Sequence, residues 1–269
     1  MTNAVEVRGL RKSYGEKAVL KGIDLCVRRG DIFALLGVNG AGKTTALACI
    51  EGLRRYDAGS ISVNGRMGIQ LQSAALPAHI KGGEAVELFA RWNRRTADAG
   101  MLAALGAGDM AGRQYREMST GQKRRLHLAL ALICGPDIVF LDEPTAGLDV
   151  EGRSALHRYI RDLKAEGKTI VLASHDMAEV ESLCDSIAIL RGGEIAFAGT
   201  VTELTERIGK HYDIHVRTDQ GSQTYASDHI EVSLAAILKS CREHHAVIQD
   251  IRVDRGSLEQ HFLRIAKGE

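Results

Sequence analysis

The segment from Gly37 to Thr44 constrains the fold of this chain more than any other part of the sequence. It reads Gly-Val-Asn-Gly-Ala-Gly-Lys-Thr, which matches the pattern G-x-x-x-x-G-K-[ST] at every defined position. A short apolar run from Ile32 to Leu36 precedes it, and a segment of helical character from Lys43 to about Leu53 follows. This order of a buried strand, a glycine-rich turn and a helix predicts an α/β fold whose turn wraps around phosphate oxygens.

The same segment carries the chemical groups that bind a nucleotide and its metal ion. Glycines let the backbone turn tightly, so that successive N–H groups point inward. Lys43 supplies a positive charge for the β- and γ-phosphates, and the Thr44 hydroxyl is a ligand for Mg²⁺. A bare glycine-rich turn is the weaker interpretation, because the strand and the helix are both in place. The predicted ATP-binding residues of this segment are Gly37, Val38, Asn39, Gly40, Ala41, Gly42, Lys43, Thr44 and Thr45.

Two acidic residues follow a second apolar run. Asp142 and Glu143 come directly after Ile138 to Leu141. A buried strand that ends in Asp places its carboxylate at the carboxyl edge of the sheet, where ligands bind in open α/β folds. We therefore expect Asp142 to lie on the Mg²⁺ side and Glu143 to act as general base toward a water molecule.

A third motif narrows the class of nucleotide-binding protein. Ser119-Thr120-Gly121-Gln122 precedes a helical run that leads into the acidic pair. Together with the phosphate loop and the acids, it resembles the signature motif of the ABC ATPases, usually Leu-Ser-Gly-Gly-Gln. The resemblance covers about residues 4 to 208. Met118 and Thr120 depart from the usual motif, and we expect weaker or retuned activity from Thr120.

The resemblance implies roles for four further residues. Tyr14 resembles the aromatic residue that stacks on adenine, and Asp149 resembles the acidic residue of the D-loop. His175 resembles the switch histidine, which bonds the γ-phosphate. Gln72 resembles the Q-loop glutamine, a catalytic and Mg²⁺-sensing residue that also senses the transporter. Only the residues from Asn64 to Met67 separate the predicted strand at Ser60 to Val63 from the strand before Gln72, and family members usually have a longer connection there. This leaves Gln70 as an alternative, and Gln72 is preferred.

The resemblance also implies partners. In the family, Ser119, Gly121 and Gln122 face the γ-phosphate held by the opposite subunit, so the expected state is a head-to-tail homodimer, or a heterodimer of two ATPases, with two ATP sites. The subunit looks like those of exporters for antibiotics and drugs, whose permeases are separate chains. The closing segment from Ser257 to Leu263 resembles an S-L-E-x-x-F-L ending of that class, although it could equally cap and pack a terminal helix.

The predicted fold class is α/β. We expect a P-loop NTPase with a mainly parallel central sheet, an N-terminal antiparallel β subdomain, an inserted all-helical subdomain and a small C-terminal α+β extension. The expected domains are an ABC ATPase domain at 1–210, with its helical subdomain at about 74–117, and an accessory domain at 211–269. Within the helical subdomain, the spacing of Ala85, Leu88, Phe89 and Trp92 predicts one packed helix face.

Charge and hydropathy limit the partners and the location. The chain has 35 basic and 34 acidic residues, so its net charge of +1 provides no reason to expect a nucleic acid partner. No apolar run approaches the roughly 20 residues that span a bilayer. Any action on a membrane would therefore need a partner, and the resemblance implies a cytoplasmic protein bound to the inner face of the membrane through transmembrane permease subunits. A soluble ATPase of DNA or ribosome maintenance, or an ATP-switched regulatory or immunity module, is the alternative.

Overall fold

A computed structural model describes residues 2–70, 75–174, 176–208, 212–255 and residue 262. The chain divides into two compact units, Met1–Ala198 and Gly199–Glu269. The sequence predicted the boundary between the two domains at 210, which is later than the division at Ala198, since strands and helices continue to alternate past Ala198. No helix in the described ranges combines the length and the apolar character that crossing a bilayer requires.

Strands and helices alternate along most of the chain. The strands are β1 (Asn3–Tyr14), β2 (Lys17–Arg28), β3 (Ile32–Leu36), β4 (Ala58–Val63), β5 (Met67–Gln70), β6 (Ile138–Asp142), β7 (Thr169–Ser174), β8 (Ser186–Arg191), β9 (Glu194–Thr200), β10 (Tyr212–Thr218), β11 (Gly221–Ser227) and β12 (Ile248–Arg255). The helices are α1 (Lys43–Ile50), α2 (Gly82–Trp92), α3 (Ala99–Ala104), α4 (Thr120–Leu132), α5 (Val150–Ala165), α6 (Met177–Leu183), α7 (Val201–Ile208) and α8 (Ile230–Glu243).

The central sheet has the strand order β5-β6-β7-β3-β8-β9. Strands β5, β6, β7, β3 and β8 pair in parallel, and every residue of β3, β6 and β7 is buried. Continuous apolar strands of this kind belong in a parallel sheet that is covered on both faces. In the register, Leu36 lies beside Ser174 and Asp142 beside Ala173. The carboxyl ends of β3, β6 and β7 therefore meet at one edge.

A second, antiparallel sheet covers the helix that follows the glycine-rich loop. Its order is β2-β1-β4, and both pairings are antiparallel, as predicted for the N-terminal subdomain. Leu10 and Leu20 from this sheet share one core with Leu47 of α1 and Phe33 of β3. The packing holds α1 between the two sheets, so the start of α1 is fixed from both sides.

Helices α2, α3 and α4 form a separate small core around Ala85, Met110 and Leu126. The prediction that Leu88 and Trp92 pack on the buried face of α2 was wrong. Ala85 is buried, but Leu88 is 50% exposed and Trp92 is 81% exposed. The apolar stripe of α2 is wider than the surface available to cover it, so the turn at Leu88 and Trp92 projects into solvent.

The second unit contains a three-stranded antiparallel sheet in the order β11-β10-β12. Ile214 and Val216 of β10 pack against Ile237 of α8. This is the α+β composition that the sequence predicted for the C-terminal extension. The closing segment at 257–263 lies outside the described residues, apart from the buried Phe262.

Candidate nucleotide site

The loop between β3 and α1 is shaped by close backbone packing. A Cβ atom on Gly37 would lie 2.6 Å from the carbonyl oxygen of Leu190 and 3.0 Å from Cβ of Ala41. Gly40 and Gly42 have φ values of 82° and 109°, a region that side chains disfavour. Only glycine fits the close approach at Gly37, which explains its place in the pattern.

The loop and the start of α1 line a cavity of about 430 Å³. The first amides of a helix have no acceptor within the helix, so this end attracts anions. The volume is typical of a small-molecule site. The lining residues are Val19, Asn39, Gly40, Gly42, Lys43, Thr44, Thr45 and Glu143.

Lys43 carries a buried positive charge at this cavity. Its Nζ donates a hydrogen bond of 2.7 Å to the carbonyl oxygen of Gly37, and Val38 O lies at 3.4 Å. Burial lowers the pKa of the Lys43 ammonium, while the charges of Glu143 and Asp142 act in the opposite direction. A cation that contacts neutral carbonyl oxygens and lies near two acids is suited to receive phosphate oxygens.

Asp142 and Thr44 come together from different elements. The Thr44 hydroxyl hydrogen-bonds the carboxylate of Asp142, which is buried at the end of β6. Burial raises the pKa of Asp142, and the hydrogen bond from Thr44 partly offsets this rise. A hydroxyl and a carboxylate are hard oxygen donors, the kind that Mg²⁺ prefers, so this pair fits the predicted metal-binding role.

Glu143 has an unusual backbone. Its φ is 48°, in the left-handed region, and its N–H donates to the carbonyl oxygen of Ala173 at 3.0 Å. Such a conformation costs about 1–3 kcal/mol and persists where the surroundings impose it. Glu143 lines the cavity together with residues of the phosphate loop, among them Asn39 and Gly40.

The predicted signature segment begins helix α4. Ser119 is the N-cap: its Oγ accepts from the N–H of Gln122 at 3.2 Å, and Oε1 of Gln122 accepts from the N–H of Ser119 at 3.0 Å. A Cβ on Gly121 would lie 3.4 Å from Leu148, one residue before Asp149. Asp149 caps α5 by accepting from the N–H of Gly152 at 2.7 Å. The two predicted segments are thus neighbours within one chain.

Tyr14 lies at the end of β1 and does not line the cavity. Arg54 donates to its hydroxyl at 2.8 Å, and the charged groups of Arg54 and Lys12 lie 5.6 Å and 5.4 Å from the ring centre. The side chain that the loop approaches instead is Val19 of β2, which no motif indicated. No local sequence pattern reveals this contact, because it depends on the tertiary structure: the pairing of β1 with β2 brings Val19 next to Gly42.

Two predicted residues, Gln72 and His175, lie outside the described residues. The alternative to the first, Gln70, is the last residue of β5 and is 3% exposed. Within the described ranges, its Oε1 atom has no hydrogen-bond partner. Gln70 faces a cavity of about 330 Å³ between β5, α2 and α4, away from the phosphate loop.

Comparison with known proteins gives a consistent result. A family model described as ABC transporter matches residues 20–146. A daunorubicin resistance ATP-binding protein of Streptomyces coeruleorubidus is 32% identical, with 97% of this chain and 95% of that protein covered. A Nod factor export ATP-binding protein I of Ralstonia nicotianae is 37% identical, over 77% of this chain and 71% of that protein. A solved ATP-binding subunit of an ABC transporter has a TM-score of 0.70 at 27% identity, over 77% of this chain and 93% of that one.

A parallel sheet with a glycine-rich loop between β3 and α1 defines a P-loop nucleotide-binding protein. The chain belongs to the family of ABC transporter ATP-binding proteins, within the group that includes antibiotic resistance and export subunits. It is the ATP-binding subunit of an ABC transporter, and it hydrolyses ATP to power transport.

Proposed function

We propose that this subunit energises an exporter as a head-to-tail dimer with two ATP sites between the chains. The cavity at the phosphate loop carries this proposal. Its described lining comes from β2, the loop, α1 and Glu143, and Ser119, Gly121 and Gln122 of the same chain are not part of it. The capped start of α4 is exposed at Ser119 and so is open to the phosphate of a second chain.

In the proposed mechanism, Lys43 binds the β- and γ-phosphates, and the backbone amides of residues 37–45 surround them. Glu143 lies at the edge of this cavity and accepts a proton from the attacking water. His175 and Gln72 assist at the γ-phosphate. Tyr14 stacks on adenine. Since Arg54 and Lys12 lie over the Tyr14 ring in this structure, they must move away before adenine can take their place.

Thr44 and Asp142, with Gln72, would hold Mg²⁺. The hydrogen bond between Thr44 and Asp142 already brings their oxygen atoms to one place. The ion, when bound, neutralises negative charge on the phosphate oxygens. Asp149 at the start of α5 belongs to the contact between the two chains.

The partner in the membrane is a permease of separate chains, and the subunit lies on the cytoplasmic face of the membrane. We propose that the ATPase domain is residues 1–210, that its helical subdomain at about 74–117 faces the permease, and that 211–269 is an accessory domain. The cavity at Gln70 supports this arrangement, because Oε1 of Gln70 has no hydrogen-bond partner among the residues that the structure describes, and a donor from another chain would supply one.

The test is the variant Glu143→Gln in the purified full chain with ATP and Mg²⁺. We expect kcat to fall by about 10²- to 10⁴-fold, the contribution of a general base, while ATP binding remains. The variant should accumulate as an ATP-bound dimer in size-exclusion chromatography with light scattering. Glu166→Gln, an exposed change of the same kind, is the control and should behave as wild type.

Two results would contradict the proposal. Unchanged hydrolysis in Glu143→Gln would show that Glu143 is not the base. A variant that stays monomeric at saturating ATP, although it binds the nucleotide, would exclude the two-site dimer.

A further inference from the structure

A buried hydrogen-bonded group connects the two residues that flank the predicted switch histidine in the sequence. Glu179 of α6 is 1% exposed, and its Oε2 accepts from the hydroxyl of Ser174 at 2.6 Å. The same hydroxyl accepts from the N–H of Asp176 at 3.1 Å. Ser174 and Asp176 are the residues on either side of His175. One carboxylate is thus connected to the chain on both sides of that position.

The second oxygen of this carboxylate points toward another element. Oε1 of Glu179 lies 3.5 Å from Nε2 of His157 on α5. This distance is longer than an ordinary hydrogen bond, and neither atom has a hydrogen-bond partner among the described residues. Arg153, one turn earlier on α5, lies 3.3 Å from Asp176. Helix α5 therefore contacts the segment around 175 at two points.

Burying a carboxylate in this way lowers the stability of the fold. A buried charge costs several kcal/mol when it is incompletely paired, and apolar side chains of similar volume are often as stable or more stable. In the described part of the chain, Oε1 of Glu179 has no hydrogen-bond partner, and Glu179 is not among the residues that line the phosphate cavity. Stability of the fold alone is a poor explanation for its presence.

We propose that Glu179 is a positioning residue for hydrolysis: through the hydroxyl of Ser174 it fixes the backbone of Ser174 and Asp176, which flank His175 in the sequence. Its other carboxylate oxygen lies beside His157 of α5, the helix whose N-cap is Asp149. The inference rests on the proposed role of His175 at the γ-phosphate. It adds a residue that touches neither nucleotide nor metal and acts through the geometry of its neighbours.

The effect should fall on kcat and leave nucleotide binding intact. Most of the proposed phosphate contacts come from the loop and α1, which these variants leave unchanged, so the KM for ATP should stay within about twofold of wild type. Ser174→Ala removes the hydroxyl that connects Asp176 to Glu179, and kcat should fall about 10- to 100-fold, as is common when groups that orient an active site are removed. Ser174→Thr keeps the hydroxyl and should retain most of the activity.

A double variant separates positioning from stability. Glu179→Met removes the charge and should slow hydrolysis as Ser174→Ala does. In Ser174→Ala/Glu179→Met both ends of the Ser174–Glu179 bond are apolar, so no carboxylate is left buried without this donor, and the thermal midpoint should rise above that of Ser174→Ala. It should stay below wild type, because the N–H of Asp176 still loses its acceptor. If the pair positions His175, kcat of this double variant stays low and the two effects do not add.

The experiment measures kcat, KM, ATP-binding stoichiometry and thermal midpoint for the full chain of each variant. Glu181→Met, an exposed change on the same helix, is the matched control and should match wild type. The inference is overturned if Ser174→Ala keeps the wild-type kcat, or if the double variant regains it together with its stability. If wild type itself fails to hydrolyse ATP, the proposed function fails and the inference fails with it. If Glu143→Gln is inactive but Ser174→Ala is normal, only the inference fails.

Discussion

The Nζ atom of Lys43 donates a hydrogen bond of 2.7 Å to the carbonyl oxygen of Gly37. These residues stand near opposite ends of the glycine-rich loop, so the bond connects the start of α1 back to the end of β3. It holds the ammonium at the cavity wall rather than in solvent. The binding charge is in place before any phosphate arrives, which reduces the ordering that ligand binding requires.

Replacing Lys43 by Met tests whether this charge serves binding rather than folding. Charge-assisted hydrogen bonds are worth about 1.5–3 kcal/mol, so ATP affinity should fall about 10- to 150-fold. The thermal midpoint of the nucleotide-free protein should not fall, because a buried charge is removed. Fluorescent-nucleotide titration and calorimetry measure the two effects. The control is Lys239→Met, an exposed change in the second unit; a loss of stability without a loss of affinity would contradict the prediction.

Gly37→Ala should damage the loop by direct contact. The new Cβ would meet the Leu190 carbonyl oxygen at 2.6 Å, and backbone on two packed strands has little room to move. We expect a loss of about 1–3 kcal/mol in the free energy of unfolding and weaker ATP binding. Denaturant unfolding measures the first quantity. Gly112→Ala has open space and should change stability by less than about 0.5 kcal/mol; equal losses in the two variants would disprove the steric argument.

Glu51 predicts a pH dependence of stability. Burial, helped by the charge of Asp142, raises the pKa of Glu51 from 4.5 to about 7. The folded state therefore binds the proton more tightly, so this stabilisation is complete below pH 4.5 and is lost as pH rises through about 7. Glu51→Gln should be more stable than wild type at pH 8, by up to about 3 kcal/mol, and equal to it near pH 4.5.

Denaturant unfolding at several pH values, with EDTA present, measures this difference. Glu166→Gln at an exposed position is the control and should follow wild type at every pH. A constant difference between Glu51→Gln and wild type from pH 4.5 to 8 would show that the Glu51 carboxyl does not titrate in this range.

The exposed side chains of α2 predict a contact surface. Leu88 and Trp92 lie one turn apart, and apolar pairs of this kind on a helix commonly mark a protein contact. Leu88→Gln/Trp92→Gln should reduce cosedimentation with permease-containing membrane vesicles severalfold and leave kcat and the thermal midpoint unchanged. Val232→Gln, an exposed apolar position in the second unit, is the control. Full cosedimentation of the double variant would exclude this face of α2 from the permease contact.

The local pattern was sufficient for much of the fold. The run from Ile32 to Leu36, the loop to Thr44 and the run from Ile138 to Asp142 were recognisable because buried strands and phosphate loops have short-range signatures. Parallel strands end at a common edge, so the meeting of Lys43 and Asp142 also followed from sequence alone. The family was evident from Ser119 to Gln122.

Other features depended on contacts between distant segments. Helical spacing placed Trp92 on an apolar face, but how much of that face is covered depends on how α2 packs against α4. The packing covers Ala85 and leaves Leu88 and Trp92 exposed. Val19 reaches the phosphate loop only because β2 pairs with β1 and crosses over Gly42. No spacing rule links Ser174, Glu179 and His157, which the packing of α5 and α6 against β7 brings together. The sequence determined which chemistry this protein carries, because the residues within each motif are neighbours along the chain. The tertiary structure decided which side chains surround and orient the motif residues, because the contacts between them join residues far apart in sequence.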